Sequence, residues 1–525
     1  MGSAGPQPRR TPWHEHGRPH PTAAAGRSLT CFIATVRPVR PTPPRVPEQG
    51  NRVRVTTLPE QPLDDIAAPA ETRKTRDWLL LGISLGYFMV LLDTTVVVVA
   101  LPAIAEEFHA SVDSLQWISN GYTLTFAALL LTAGALSDRL GAKQLFLYSS
   151  GAFALVSAIS IAAPNTLSLV VLRGLLGLFG AGLLPTSMAL FVNSYPDPGK
   201  RARAMGVWAA ITGVALAAGP LIGGVLTDTL GWRAIFAVNV PVAALSIAIT
   251  AKKAPATVPK RDRGLDLPGQ LTGIACLGLL TYGLIAGGES GFGDPVVLST
   301  LAAAVVMGIA FVVVERSRRG DVMLPMSLFG SSTFSAGLLA GLLVNFGLSG
   351  AMFVLSLFFQ TVDHASAMKT GLLFLPLTLP TAFNGSNAGK LVAKIGPRIP
   401  ATIGFVLMGA GTLLQVPFMH TSASQIGSMA GLLLLGFGIS FAMPSLISAV
   451  ISSVPKHHAG IGGGALNAAR QSGAVLGVAI LGVVIGSGDG SQHYGLAMGI
   501  AGALLLVGAL VVAGFVGRRA PGTEK

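Results

Sequence analysis

The chain has 525 residues, of which only 11% are charged while 51% are hydrophobic. Soluble domains carry about 25% charged residues, so a water-soluble globule is excluded. The two cysteines, Cys31 and Cys276, sit in unrelated contexts and suggest neither a disulfide framework nor a cysteine metal site. A net charge of +13 would suit a nucleic-acid binder, but its distribution along the chain argues against one.

Residues 1–72 are rich in Pro and Arg, lack helical periodicity and read as a disordered cytoplasmic tail. Arg9-Arg10 is not followed by an apolar region, so it is no twin-arginine export signal. The functional alternative to an unstructured tail, or to an over-long translation start, is a basic segment touching anionic headgroups.

From Trp78 to Val516 uncharged apolar runs recur, many reaching the roughly 20 residues a helix needs to cross a bilayer. Inside hydrocarbon the backbone must satisfy its own hydrogen bonds, so these runs are helices, and the short alternating segments of a β-barrel are missing. Fourteen spans are predicted: 79–102, 115–136, 144–163, 166–192, 203–227, 232–251, 268–287, 295–314, 332–360, 370–392, 399–418, 425–452, 463–486 and 494–516. On one side of this arrangement lie 23 lysines and arginines, from Arg73 to Lys525; on the other lie only Arg233 and Lys369. Basic loops mark the cytoplasmic face, so both termini are expected to be cytoplasmic.

One loop pattern occurs twice. GALSDRLGAK at 134–143 and GKLVAKIGPR at 389–398 share Gly, then Leu two on, a basic residue five on, Gly seven on and a basic residue nine on. They follow the second and tenth spans. The chain thus divides into a six-helix bundle at 73–252, a linker at 253–330 with two extra helices, and a second six-helix bundle with a short tail at 331–525. Transporters are often built from such repeats.

Other stretches sharpen this reading. They are LDTTVVVVALP at 92–102, Arg173 with Gly177 and Gly180, and Gly206, Gly213 and GPLIGG at 219–224. WRAIFAVNVP at 232–241 and LNAARQSGAVLGVA at 466–479 complete the set. In this order and topology the chain resembles the fourteen-helix drug–proton antiporter branch of the major facilitator superfamily. The resemblance implies an all-α polytopic membrane protein of 14 transmembrane helices that exchanges protons for small amphiphilic compounds. It implies no enzyme activity, cofactor, metal or nucleic-acid partner. The chain departs from the family pattern at Val98, where Asn is usual, at Leu176, where Gln is frequent, and at Ala393, where the first loop copy keeps Asp138.

Ionisable groups deep in a bilayer cost about 2.5–3.5 kcal/mol even on lenient scales, so they are functional candidates. Asp93, Arg173 and Arg470 are the three within clear span interiors. Asp93 and Arg173 fall at similar depth by the helical rise, and the resemblance places their helices together around a central cavity. Asp93 is therefore expected to bind the transported proton and Arg173 to tune it; a permanent buried ion pair is the bland alternative. As the single carboxylate in a span interior, Asp93 points to neutral, monocationic or amphiphilic substrates rather than dications. Arg470 either lines the cavity or snorkels to the inner surface.

Gly134, Asp138, Arg139, Gly141 and Lys143 are expected to form a cytoplasmic gate, and Gly213, Gly219, Pro220, Gly223 and Gly224 a pliable antiporter-motif helix. Tyr87, Tyr122, Phe126, Asn345, Phe353, Gln360, Asn384 and Asn387 could line the cavity. GSNAGKL at 385–391 fails as a phosphate loop, because Leu391 stands where Ser or Thr must hold magnesium. GIGGGA at 460–465 follows no strand, and the adjacent His457-His458 pair does not place two ligands on one helix face. An uptake symporter is the alternative within transporters. An intramembrane enzyme or a channel is the distant one, and the first of these would need convergent His, Asp or Ser groups at membrane depth.

Overall fold

The computed structural model describes residues 70–195, 197–257, 266–317, 323–420, 424–455, 458–488 and 491–517. The expected tail therefore lies outside the described residues, apart from 70–72, which open the first helix. Among the described residues there is no strand. The N-terminal group of helices comprises α1 (Ala70–Phe108), α2 (Val112–Leu140), α3 (Ala142–Ser160), α4 (Thr166–Ser194), α5 (Pro198–Leu230) and α6 (Ala234–Ala237 continued by Asn239–Lys253). Two helices follow, α7 (Leu267–Ser290) and α8 (Pro295–Ser317). The last six are α9 (Ser332–Leu357), α10 (Ala367–Leu373 and Leu375–Ile395), α11 (Arg398–Gln415), α12 (Ser424–Ser452), α13 (Ala459–Gly486) and α14 (Ser491–Phe515).

Eleven of these helices are long and apolar enough to cross a membrane. The other three, α2, α3 and α10, fall short of that apolarity, α3 because its short run opens on Lys143 and Gln144.

The packing repeats between α1–α6 and α9–α14. In the first set α5 and α6 lie on α1, α4 lies on α2 and α3, and α3 meets α6. In the second set α13 and α14 lie on α9, α12 lies on α10 and α11, and α11 meets α14. The two bundles meet along two seams, α2 with α13 and α5 with α10, which are images of each other under the repeat. The extra helices break this symmetry. α7 packs on α2 and α13, covering one seam, and α8 packs on α7. Val305, Val306, Ile309 and Val313 of α8 are more than half exposed, an apolar face that only lipid satisfies.

Two local features of the repeat escape a search for loop motifs. The corner after α1 and the corner after α9 both read His-Ala-Ser, at 109–111 and 364–366. His109 (φ 50°) and His364 (φ 49°) are left-handed, a region in which His is enriched among non-glycine residues. Two residues on, Ser111 and Ser366 accept hydrogen bonds from Ser114 N and Lys369 N and so cap α2 and α10. The second feature is a pair of glycines four apart. A Cβ on Gly219 or Gly223 of α5 would meet Thr95 Oγ1 at 1.8 Å or Val96 O at 2.6 Å on α1. On α13, a Cβ at Gly473 or Gly477 would meet Leu342 O at 2.0 Å or Phe346 O at 2.4 Å on α9. Both helix pairs touch backbone to backbone, as small residues four apart allow.

Candidate functional site: a sealed ion pair and a central cavity

Asp93 sits past the middle of α1, and Arg173 sits two turns into α4. They form a salt bridge between Arg173 Nη1 and Asp93 Oδ2, with Asp93 fully buried and Arg173 1% exposed. A buried pair is tolerable only if its other donors and acceptors are satisfied. Arg173 Nε donates to Ile118 O of α2 at 3.1 Å, and its guanidinium lies 4.6 Å from the centre of the Tyr122 ring. Asn239 Nδ2 of α6 donates to Asp93 Oδ1 at 3.0 Å and contacts Ser157 Oγ of α3 at 3.4 Å. Asn239 is the first residue after the break in α6, where Pro241 offers no N–H to Ala237 O. Its own Oδ1 is buried without a partner among the described residues.

The pair is therefore enclosed by α1, α2, α3, α4 and α6 of one bundle, not presented to the space between bundles. This revises the expected cavity lining. Tyr122 is buried in the same bundle, its hydroxyl donating to Val90 O at 3.2 Å and its ring stacked on Phe126 at 5.9 Å. Phe353 is fully buried in core packing, and Asn384 Nδ2 donates to Ser440 Oγ of α12 at 2.8 Å. Asn387 is exposed. Asn239, Ser157 and Ile118 were missed as partners of Asp93. The signal for Asn239 was the Asn-Val-Pro step in WRAIFAVNVP, a polar residue beside a helix-breaking proline at membrane depth.

Between the bundles Tyr87 of α1 stacks on Trp208 of α5, with centroids 5.3 Å apart and planes 14° from parallel. Arg470 of α13 lies within electrostatic reach of Tyr87. Its stem lies along α9 at Gly341, where a Cβ would sit 3.2 Å from Arg470 Cγ. Its Nε and Nη1 donate to Asn345 Oδ1 at 3.4 Å and Asn467 Oδ1 at 3.0 Å. Toward the α1 C-terminus, Thr95, Leu216, Leu348, Met352, Thr378 and Ile439 line a small apolar recess that joins α1, α5, α9, α10 and α12.

The two ends of the bundle interface differ. At the far end, opposite the basic loops, the halves are tied. Pro102 supplies no N–H to Val98 O, and Ser356 Oγ of α9 donates to that carbonyl at 2.7 Å. Gln360 Nε2 donates to Val99 O at 3.0 Å. The Asp228 carboxylate of α5 accepts from Ala367 N at 3.2 Å and Met368 N at 2.9 Å, the first amides of α10. Gly224 abuts Ala367 O, and Gly371 abuts Pro220 O. At the basic end, a Cβ on Gly134, Gly206, Gly385, Gly389, Gly460 or Gly463 would find nothing within 4 Å among the described residues. There the halves touch where Gly464 meets Leu131. Of the expected gate residues, Gly141 (φ 89°) and Lys143 meet the segment after α6: Lys143 N donates to Thr257 Oγ1 at 3.1 Å and Lys143 Nζ to Ala254 O at 2.7 Å. Asp138 is half-buried and Arg139 exposed.

A sequence profile described as the Major Facilitator Superfamily matches residues 83–478. The chain belongs to the major facilitator superfamily. Among its relatives in this family is a tetracenomycin C resistance and export protein of Streptomyces glaucescens, 35% identical over 434 residues that cover 82% of this chain and 80% of the relative. A methylenomycin A resistance protein of Bacillus subtilis is 36% identical over 420 residues, 79% of this chain and 88% of that one. The solved structure of a nucleoside transporter, NupG, matches with a TM-score of 0.60 at 10% identity, covering 83% of this chain and 98% of that one, which bears on the fold alone. The chain is a multi-pass membrane protein of a family that moves small molecules, not an enzyme.

Proposed function

We propose that this protein is a proton-coupled antiporter in the cell membrane that exports small amphiphilic compounds, antibiotics or other toxic metabolites among them. The resistance and export relatives support the direction of transport. The lysine and arginine bias supports a cytoplasmic basic end and cytoplasmic termini.

One observation carries proton coupling: a carboxylate at membrane depth whose ionised form is held by Arg173 and Asn239 and whose protonated form finds an acceptor in the same amide. When ionised, Asp93 accepts from Arg173 and Asn239. When protonated, it becomes a donor and needs an acceptor, and the unpartnered Oδ1 of Asn239 is one within the site. Binding a proton weakens the tie between α1 and α4, so protonation is linked to the packing of the bundle that forms one side of both seams. The driving force is about 2.3 kcal/mol per charge per 100 mV, plus the pH gradient.

Everted vesicles test this reading. Adding substrate should release protons from vesicles with the wild-type chain. Asp93→Asn should lose uphill export while keeping downhill exchange. Uphill pumping by Asp93→Asn with normal pH dependence would refute the assignment.

A further inference from the structure

Arg470 is a cation of the second bundle whose hydrogen-bond partners carry no charge. Asp93, the carboxylate expected to neutralise cationic cargo, is sealed in the N-terminal bundle and paired with Arg173. Among the described residues no carboxylate pairs with Arg470, whose hydrogen-bond partners are two amide oxygens. Arg470 is half-buried on α13, the helix that packs on α2 across the seam.

Asn345 and Asn467 turn their oxygens to Arg470, so neither amide oxygen is left for a cation. Trp208 Nε1 is a buried donor without a partner among the described residues. A guanidinium has five N–H donors, and the two bonds here leave its second terminal nitrogen unused. Beside this donor set the Tyr87–Trp208 stack presents an aromatic surface.

An uncompensated cation, orphan donors and a ring stack are together complementary to an acceptor-rich aromatic acid. A cationic cargo would meet repulsion from Arg470.

We propose that Arg470, Trp208 and Tyr87 form a subsite for an organic anion, in which an aromatic ring packs on the Tyr87–Trp208 stack and a carboxylate or phenolate binds Arg470. This rests on the exporter reading and narrows its cargo to aromatic weak acids. An anionic lipid phosphate shares the chemistry recognised by Arg470 and could enter from the bilayer, so the test separates the two.

The full chain in phosphatidylcholine nanodiscs is titrated with 2-naphthoate and with its methyl ester, which keeps the ring and removes the charge. A charge-assisted hydrogen bond predicts about tenfold to a hundredfold tighter binding of the acid. Arg470→Gln should abolish that preference, weakening acid binding far more than ester binding, and Arg470→Lys should retain part of it. Equal binding of acid and ester to the wild type, which needs no variant to fold, overturns the proposal. So does an Arg470→Gln protein that loses affinity for both by the same factor. If added phosphatidylglycerol weakens naphthoate binding to the wild type but not to Arg470→Gln, the site belongs to a lipid headgroup, and the substrate assignment falls. Binding requires no gradient. An intact acid preference in a chain that fails to pump would therefore count against the exporter reading and leave the subsite standing.

Discussion

At the scale of single residues, the buried Asp93–Arg173 pair is an opportunity and a trap for mutagenesis. Removing one member of a buried pair leaves an uncompensated charge and costs about 3–5 kcal/mol. Asp93→Asn alone therefore conflates coupling with folding. The double variant Asp93→Asn/Arg173→Gln removes both charges while keeping the volumes, and its thermal stability should lie well above that of either single change. If Asp93 carries the proton, the rescued double variant should still fail at uphill export. A double variant that regains pumping would reduce the pair to a structural strut. Asn239→Leu is the companion test: it deletes the donor to ionised Asp93 and the spare acceptor together. The expected result is a coupling defect accompanied by a loss of about 1–3 kcal/mol from leaving a buried partner unsatisfied. Comparing pumping with downhill exchange in Asn239→Leu measures it, and equal loss of both would assign Asn239 to folding alone.

At the scale of helices, α5 is gripped on two faces, and its glycines divide accordingly. Gly219 and Gly223 face α1 within one bundle, whereas Gly213 and Gly224 face α10 across the seam, with Ala382 Cα 3.6 Å and Ala367 O 2.3 Å from the Cβ each would acquire. Gly223→Ala forces apart a contact that every state of the transporter keeps. It should cost about 1–3 kcal/mol of stability, the range for overpacking. Gly224→Ala strains a contact made only while the far end is closed, so it should spare stability and favour the open form. Melting curves set beside cysteine accessibility at the far end check this contrast; matching effects of the two changes would dissolve the distinction. The spans, their order and the repeated basic loop were legible because apolar runs and charge placement are one-dimensional signals. The seam contacts were not. The glycines of the α5 motif do not say in sequence which neighbour each one meets, and Gly206, at the start of that motif, faces open space among the described residues. The matching glycines of α13 were quoted as part of a late-helix motif, but their equivalence to those of α5 emerges only once both are seen against α1 and α9. Tyr122 and Phe126 were misplaced for a related reason. An aromatic on a polar helix can face its own bundle or the other one, and here the crossing of α2 on α4 turns it inward.

For the whole molecule, with the basic end placed in the cytoplasm as proposed, this arrangement is inward-open: tied at the far end and parted at the other. Transport requires both ends to exchange roles, so each end needs a contact weak enough to break. The far-end ties are hydrogen bonds to the first amides of α10, to the Val98 carbonyl freed by Pro102 and to Val99 O, each worth about 1 kcal/mol net. Asp228→Asn and Ser356→Ala should each move the population toward the outward-open form by about fivefold, since 1.4 kcal/mol is a factor of ten. The proposed tie at the basic end has the opposite sign. Among the described residues no side chain caps α13, and a Cβ at Gly460 or Gly463 in its first turn would meet nothing within 4 Å. A carboxylate arriving there as the cytoplasmic side closes would meet free amides and the positive end of the helix dipole, worth up to about 2 kcal/mol when partly buried. Asp138 on the neighbouring α2 end is the carboxylate we propose for this role, and Ala393 cannot play its part in the second loop copy. Asp138→Asn should therefore favour the inward-open form, while Ala393→Asp has a smaller effect. Paired cysteine labelling at both ends in a cysteine-free background reads the two shifts together. Opposite shifts in Asp228→Asn and Asp138→Asn fit a pair of opposed latches. A shift in only the first would leave Asp138 as a loop charge with no part in gating.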